Sequence, residues 1–294
     1  MPEVTRRQFL ELWAIGIVTS GCHSTSASHS LLNVGESMRV FANNGDTFEL
    51  LSSANAIERR APNGALVWRR DEFGTEPGQL NGPSNLYVSP TGELVVSNRG
   101  NSRIDIFDQN GTFLRSVGGR TLPGDDPMNL DFASDAAIDD QRIYVCDTVD
   151  HQIQVFSLDG SALGSFGSAG NGPGELNVPT AIVLGPADTL YVLDSGNRRI
   201  QVYERSGHFL RSLPDSGQAD AALIQPSDIV VDCEGRCYVA DAGRMEVAVF
   251  GSTGSKLDAI PVVFDDGVLG SPCRLEWREG ELAVGAVKTT IRGS

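Results

Sequence analysis

From Leu190 the chain reads "LYVLDSGNRRIQVYERSGHFLRSL", and apolar and polar positions alternate through it in short runs. Ile200 and Val202 flank the polar Gln201, which is the two-residue period of a strand with differently surrounded faces. With the preceding "PTAIVLG" the stretch divides into four strand-like runs: "PTAIVLG", "TLYVLDS", "RRIQVYE" and "HFLRSL". The joints "PAD", "GN" and "RSG" are turn chemistry. No helical stripe lies between the runs, so the unit is predicted to be a four-stranded antiparallel sheet.

The unit recurs. "LVVSNRGNSRIDIFDQNGTFLRSVG" starts at Leu94, "IYVCDTVDHQIQVFSLDGSALGSFG" at Ile143 and "CYVADAGRMEVAVFGSTGSKLDAI" at Cys237. The turn glycines Gly64, Gly111, Gly160, Gly207 and Gly254 are spaced 47, 49, 47 and 47 residues apart. A period in this range marks a solenoid, propeller or array. Four-stranded sheets repeated about an axis make a β-propeller, in which each sheet covers its faces against its neighbours. Units begin near Glu36, Pro83, Ser134, Pro179, Pro226 and Pro272. The fold class is therefore all-β, a six-bladed β-propeller of four-stranded antiparallel blades. The first blade keeps four runs but little of the motif. The last stops after about three strands, and residues 28–34 are expected to supply its outer strand.

Composition agrees with this reading. Hydrophobic residues make up 40% of the 294, and 33 glycines and 14 prolines suit many turns and short strands. The net charge of -15 repels phosphate backbones and argues against nucleic acid as a partner. Its plain reading is solubility.

The first residues have a different pattern. Arg6 and Arg7 precede an apolar run, Leu12 to Val18, too short for a bilayer span of about 20 residues. A basic region, a short apolar region and then small residues make an export signal, residues 1–22. "TRRQFL" resembles the twin-arginine translocation motif, with Glu11 where that motif often has Lys. Ser20-Gly21-Cys22 resembles the end of a lipoprotein box, with Thr19 where Leu is preferred. That resemblance implies acylation of Cys22 and a membrane anchor; simple cleavage nearby is the other reading. Residues 23–32 are a Ser-rich tether, and residues 33–294 the propeller. The expected location is the bacterial periplasm or cell envelope.

"YVLDSGNRRIQVYERSGHFLRS" closely resembles the NHL repeat, and "FGSAGNGPGELNVPTAI" from Phe166 and "FGTEPGQLNGPSNL" from Phe73 resemble that family's inter-repeat linker. The resemblance covers residues 73–250. It implies a six-bladed propeller and a binding role, since most members bind proteins, RNA or other ligands. Related six-bladed propellers include amidating lyases, lactonases and streptogramin lyases.

Asp194 ends a strand, where its carboxylate is expected to accept backbone N–H groups of the following turn. Arg199 is placed to pair with a carboxylate. Asn98, Asp147 and Asp241 repeat the acceptor; Arg103 repeats the Arg, while Gln152 and Glu246 replace it. A role repeated in blade after blade reads as scaffold, not chemistry. Function belongs where the copies differ. The third residue of each innermost strand gives Arg39, Asn85, Asp135, Ala181, Asp228 and Arg274 around the central mouth. Arginine forks suit carboxylates, and the acids suit cations or amines. The turns around them carry Asn101, Asp150, His151, Arg198 and Arg244. The competing reading is a hydrated, self-paired rim.

Catalysis is thinly supported. Of four histidines, His23 and His29 lie in the tether, and His151 and His208 fall on turns expected at opposite faces. No catalytic residues and no cofactor are assigned; a calcium site of Asp135, Asp228 and Asn85 is the metal alternative. Cys233 and Cys237 flank a turn in an exported chain, which permits a disulfide, with two thiols as the other reading. Cys146 and Cys273 read as small apolar residues. The sequence thus points to an exported, membrane-anchored, non-enzymatic binding module for a protein or small ligand. The alternative is a metal-dependent lyase or lactonase.

Overall fold

The computed structural model describes residues 37–41, 45–89, 91–119, 130–214, 222–262, 269–278 and 281–288. Blade 1 is β1 (Ser37–Phe41), β2 (Thr47–Leu51), β3 (Ala56–Arg60) and β4 (Leu66–Arg70). Blade 2 is β5 (Asn85–Val88), β6 (Leu94–Asn98), β7 (Arg103–Phe107) and β8 (Phe113–Gly118). Blade 3 is β9 (Ala133–Ile138), β10 (Arg142–Asp147), β11 (Gln152–Ser157) and β12 (Ala162–Phe166). Blade 4 is β13 (Pro179–Leu184), β14 (Thr189–Asp194), β15 (Arg199–Glu204) and β16 (Phe209–Leu213). Blade 5 is β17 (Pro226–Val231), β18 (Cys237–Asp241), β19 (Glu246–Phe250) and β20 (Lys256–Pro261). The sixth sector is the hairpin of β21 (Gly270–Arg278) and β22 (Glu281–Lys288).

Each of the first five sheets is a four-stranded antiparallel meander in chain order. The third strand against the outer one carries a register shift in every blade, as at Val202/Tyr203, which adds twist at the rim. Among the described residues the sixth sheet has two strands rather than the expected three. The proposed closing strand, residues 28–34, lies outside the described residues, as do the signal, Cys22 and the tether.

The core lies between sheets. Tyr144, Tyr191 and Tyr238 recur on the second strands of blades 3, 4 and 5 and are fully buried. So are Phe107, Phe156, Tyr203 and Phe250 on the third strands. These periodic aromatics are wedges between neighbouring blades, which is why a single blade could not fold on its own. The first strands lie innermost, β13 between β9 and β17, and β21 beside β17.

Candidate functional site

Buried acceptors end the second strands of blades 2 to 5. Asp194 is fully buried at the end of β14. Its Oδ1 accepts the N–H of Asn177, 17 residues upstream, at 2.6 Å. Its Oδ2 accepts from Asn197 Nδ2 and Arg199 Nε, both at 2.8 Å. The backbone partner is thus the incoming segment of the blade, not the following turn. Asn98 accepts the Asn81 N–H at 2.8 Å and Asp147 that of Asp131 at 3.0 Å. Asp241 accepts those of Ile224 and Gln225 at 2.8 and 2.9 Å, and also reaches its own turn at Gly243 N, 3.1 Å. Each buried acceptor staples the chain entering a blade to the end of its second strand.

The supporting charges vary. In blade 2 the acid moves to Asp105, which accepts from Asn98 Nδ2 at 2.6 Å and Arg103 Nε at 2.9 Å. In blade 3, Gln154 Nε2 donates to Asp147 at 2.8 Å. With burial and nearby Asp150, the Asp147 carboxyl is pushed up to about 6.

At the centre, four of the six ring positions meet. Asn85, Asp135 and Asp228 are only 5, 6 and 7% exposed. Asn85 Nδ2 donates to Asp135 Oδ1 at 2.5 Å, and Asn85 Oδ1 accepts from Arg274 Nη2. Arg274 Nε lies 3.4 Å from Asp228 Oδ2. Blade 6 is thereby tied to blade 2 across the axis. Ala181, 4% exposed, leaves a nonpolar gap in the ring on blade 4. Arg39 sits on β1 opposite Glu49 in the register.

Both acids also bond to the next blade. Asp135 Oδ2 accepts the Ile182 N–H at 3.0 Å, and its Oδ1 accepts that of Ala136 at 2.8 Å. Asp228 Oδ2 accepts the Leu275 N–H at 2.8 Å, and its Oδ1 that of Ile229 at 2.9 Å. Burial raises the Asp135 carboxyl to about 7, although Arg274 and the Ile182 N–H pull the other way. Burial likewise raises Asp228. The donor set does not suit calcium: these oxygens already receive N–H groups, and a guanidinium lies beside Asp228. Among the described residues no group of three or more His, Cys, Asp or Glu is arranged to hold a metal ion.

The flanking turns are exposed around this floor. His151 Nδ1 accepts the Val178 N–H at 2.9 Å, and Asn55 Oδ1 the Gly82 N–H at 2.6 Å, 96 residues earlier in the repeat. Asn101 Nδ2 donates to Gly74 O and Arg244 Nε to Ala222 O, both at 2.9 Å. Asp150 and Arg198 are exposed. His208 is exposed on the hairpin between β15 and β16, away from His151. Cys237 pairs in register with Val231, while Cys233 lies beyond it in the turn, and no disulfide joins them. Cys146 is buried and Cys273 is exposed, so only the first is the expected core thiol.

Sequence reasoning missed Phe132 and Val178. Both take positive φ, +78° and +54°, at the position where blade 2 has Gly82. The signal was present in "NGP", "DFA" and "NVP" at the three blade entries.

Residues 126–216 match DUF5128, a family described as a 6-bladed beta-propeller. Over 100 residues, 30% of the chain, the sequence is 32% identical to the E3 ubiquitin-protein ligase TRIM32 of Homo sapiens, and 30% identical to that of Mus musculus. The matched part spans 14% of those relatives' length. Among solved structures, virginiamycin B lyase from Staphylococcus aureus with quinupristin superposes with a TM-score of 0.61 at 16% identity, covering 86% of this chain and 79% of that one. A streptogramin B lyase gives 0.61 at 13% identity, covering 92% and 86%. A protein of unknown function from Bacteroides caccae gives 0.57 at 11%, covering 81% and 94%. At these identities the likeness is one of fold. Together with the sheets described above, it establishes an all-β propeller of four-stranded antiparallel blades.

Proposed function

We propose that this chain is an NHL-type propeller that is exported, anchored through Cys22, and binds a protein or small ligand at its central mouth without transforming it. The observation carrying this reading is the preorganised floor formed by Asn85, Asp135, Asp228 and Arg274. Asn85, Asp135 and Asp228 are held by the backbone and by one another, as the self-paired reading expected, and the half-buried Arg274 beside them is the charge left to meet a ligand. A general base needs a lone pair open to substrate. Here each acid is more than nine-tenths buried and both its oxygens accept N–H groups.

The lyase or lactonase alternative draws on one observation: Asp135, raised to about 7, is poised for proton transfer near neutrality. Incubating the purified chain with a streptogramin B and with simple lactones, with and without added divalent metal, separates the two. The binding reading expects no turnover, and weaker capture of a partner from envelope extract by Arg274→Ala. Metal-dependent turnover lost in Asp135→Asn would establish the enzyme instead. For the anchor, Cys22→Ala is expected to move the protein from the membrane to the soluble envelope fraction.

A further inference from the structure

Blades 2 to 5 meet the blade before them through two recurrent places. The third residue from the end of the second strand is Val96, Val145, Val192 or Val239. The fifth residue of the third strand is Phe107, Phe156, Tyr203 or Phe250. Each is at most 1% exposed and packs with apolar side chains of the preceding blade. Blade 1 breaks the rule at both places, with Glu49 and Arg60.

Strand alternation fixes which way these two point. Phe48, Leu50 and Ile57 pack into blade 2. Glu49, Glu58 and Arg60 therefore lie on the other side of the sheet, which the ring turns toward the sixth sector. There they bond within blade 1. Arg60 Nη2 donates to Glu58 Oε2, Arg69 Nη1 donates to Glu58 Oε1 at 2.7 Å, and Arg60 Nε lies 3.4 Å from Glu49 Oε2. Both carboxylates are 5% exposed. Leu66 stands opposite Arg60 as Phe113 stands opposite Phe107. Phe113 packs into the cluster between blades 1 and 2, whereas Leu66 is 51% exposed. Leu275, Leu282 and Val284 of the sixth sector pack with blade 5. Charges paired within one sheet, in place of a valine and an aromatic, remove the apolar burial that joins the other blades. An ion pair replaces little of it, because the cost of desolvating the charges offsets their attraction.

We infer that the seam between blade 1 and the sixth sector is a built-in opening of the ring. Blades 1 to 5 hold as one arc, the sixth sector moves with blade 5, and this seam parts ahead of every other junction. The bond from Arg274 to Asn85 is its latch, so parting the seam also opens the polar floor at the mouth.

The test is hydrogen–deuterium exchange of the full chain, read by mass spectrometry in peptides from each blade. Amides of β2, β3 and β21 are expected to exchange about tenfold faster than those of β14 and β15. Fraying near the chain ends would do the same, so the deciding variant gives blade 1 the apolar pair of the other blades: Glu49→Val with Arg60→Phe. It removes one acid and one base and leaves Glu58 its bond from Arg69. Exchange should slow by about tenfold in β21 as well as in β2 and β3, and Tm should rise. Arg274→Ala should speed exchange in the same three strands and leave β14 and β15 as they were. Even exchange across the parent's blades overturns the proposal, and so does parent-like exchange of β21 in the folded double variant. Should the double variant fail to fold, Arg274→Ala decides: unchanged exchange in β2 and β3 overturns the proposal, and faster exchange there supports it.

Discussion

The junction between blades 3 and 4 and that between blades 4 and 5 use the same apolar means and different polar ones. In the first, Ala137, Tyr144 and Cys146 pack with Ile182, Leu190 and Val192. In the second, Ala181, Tyr191 and Leu193 pack with Ile229, Val231 and Val239. Polar links crowd the first. Asp135 takes the Ile182 N–H at 3.0 Å, Ser134 Oγ donates to Thr180 O at 3.1 Å, and Thr148 Oγ1 donates to Pro179 O at 2.8 Å. At the other end Arg142 donates to Arg205 O at 3.2 Å, and Arg205 pairs with Asp139 at 2.7 Å. Arg199 grips the linker through Asn171 O, Gly172 O and Glu175 O, all at 2.8 Å. Across the second junction Tyr191 Oη donates to Gly235 O at 3.4 Å, close to the limit of a hydrogen bond. The lesson is that burial makes the ring, while polar links register particular neighbours within it.

The largest effect should come from breaking what both junctions share. Phe250→Ala is expected to cost about 3–5 kcal/mol, and Ile182→Ala about 2–5, as urea-unfolding free energies. A cost at only one junction would break the comparison. Next comes the linker grip. Asp194→Ala leaves the Asn177 N–H and the Arg199 Nε–H without their acceptor, at about 2–4 kcal/mol, while ligand capture should persist. Loss of capture with an unchanged melt would reverse its assignment to the scaffold. Asp135→Ala should cost about 2–3 kcal/mol, because the Ile182 N–H and the Asn85 amide lose their partner inside the ring.

Asp135 also sharpens the comparison through pH. Its folded-state value of about 7 lies above the ordinary 3.8, so the folded form holds the proton more tightly. Its stabilising contribution is full below about pH 4 and is lost as pH rises to about 7. Asp147, at about 6, acts in the same direction. Asp135→Asn should flatten the fall in urea midpoint between about pH 5 and about pH 8; an identical slope would show that the carboxyl is not the source. The smallest effects are expected from His151→Ala, about 1 kcal/mol, and Tyr191→Phe, below about 1 kcal/mol. A larger loss for Tyr191→Phe would show that the second junction relies on its polar link after all.

Some of this was legible and some was not. The four runs around Asp194 correspond to β13 through β16 within a residue or two, because strand alternation and turn chemistry are local. The pairing of Asp194 with Arg199 was legible from their places at the two ends of one turn. The backbone partner of Asp194 was not, since Asn177 lies on the entering segment and approaches only once the blade has formed. Of the ring positions read from the repeat, 39, 85, 135, 181, 228 and 274, four are joined at the centre: 85, 135, 228 and 274. That Asp135 and Asp228 bond to the following blade was not legible, because Ile182 and Leu275 lie 47 residues away on other sheets. Of the two readings left open for Cys233 and Cys237, no disulfide is present: Cys237 faces Val231, a detail fixed by where the turn closes. Phe132 and Val178 stand where blade 2 has Gly82, so the alignment carried the hint, but the positive φ itself is fixed only when the turn is built.

Taken alone, the amino-acid sequence determined the period, the strands, the turns and the recurrent acceptors, all of which depend on residues close together in the chain. Only the tertiary structure decided which blade each polar group joins and that two acids at the centre are buried and bonded. Those outcomes depend on distances between sheets, and the packing of large side chains between blades sets them.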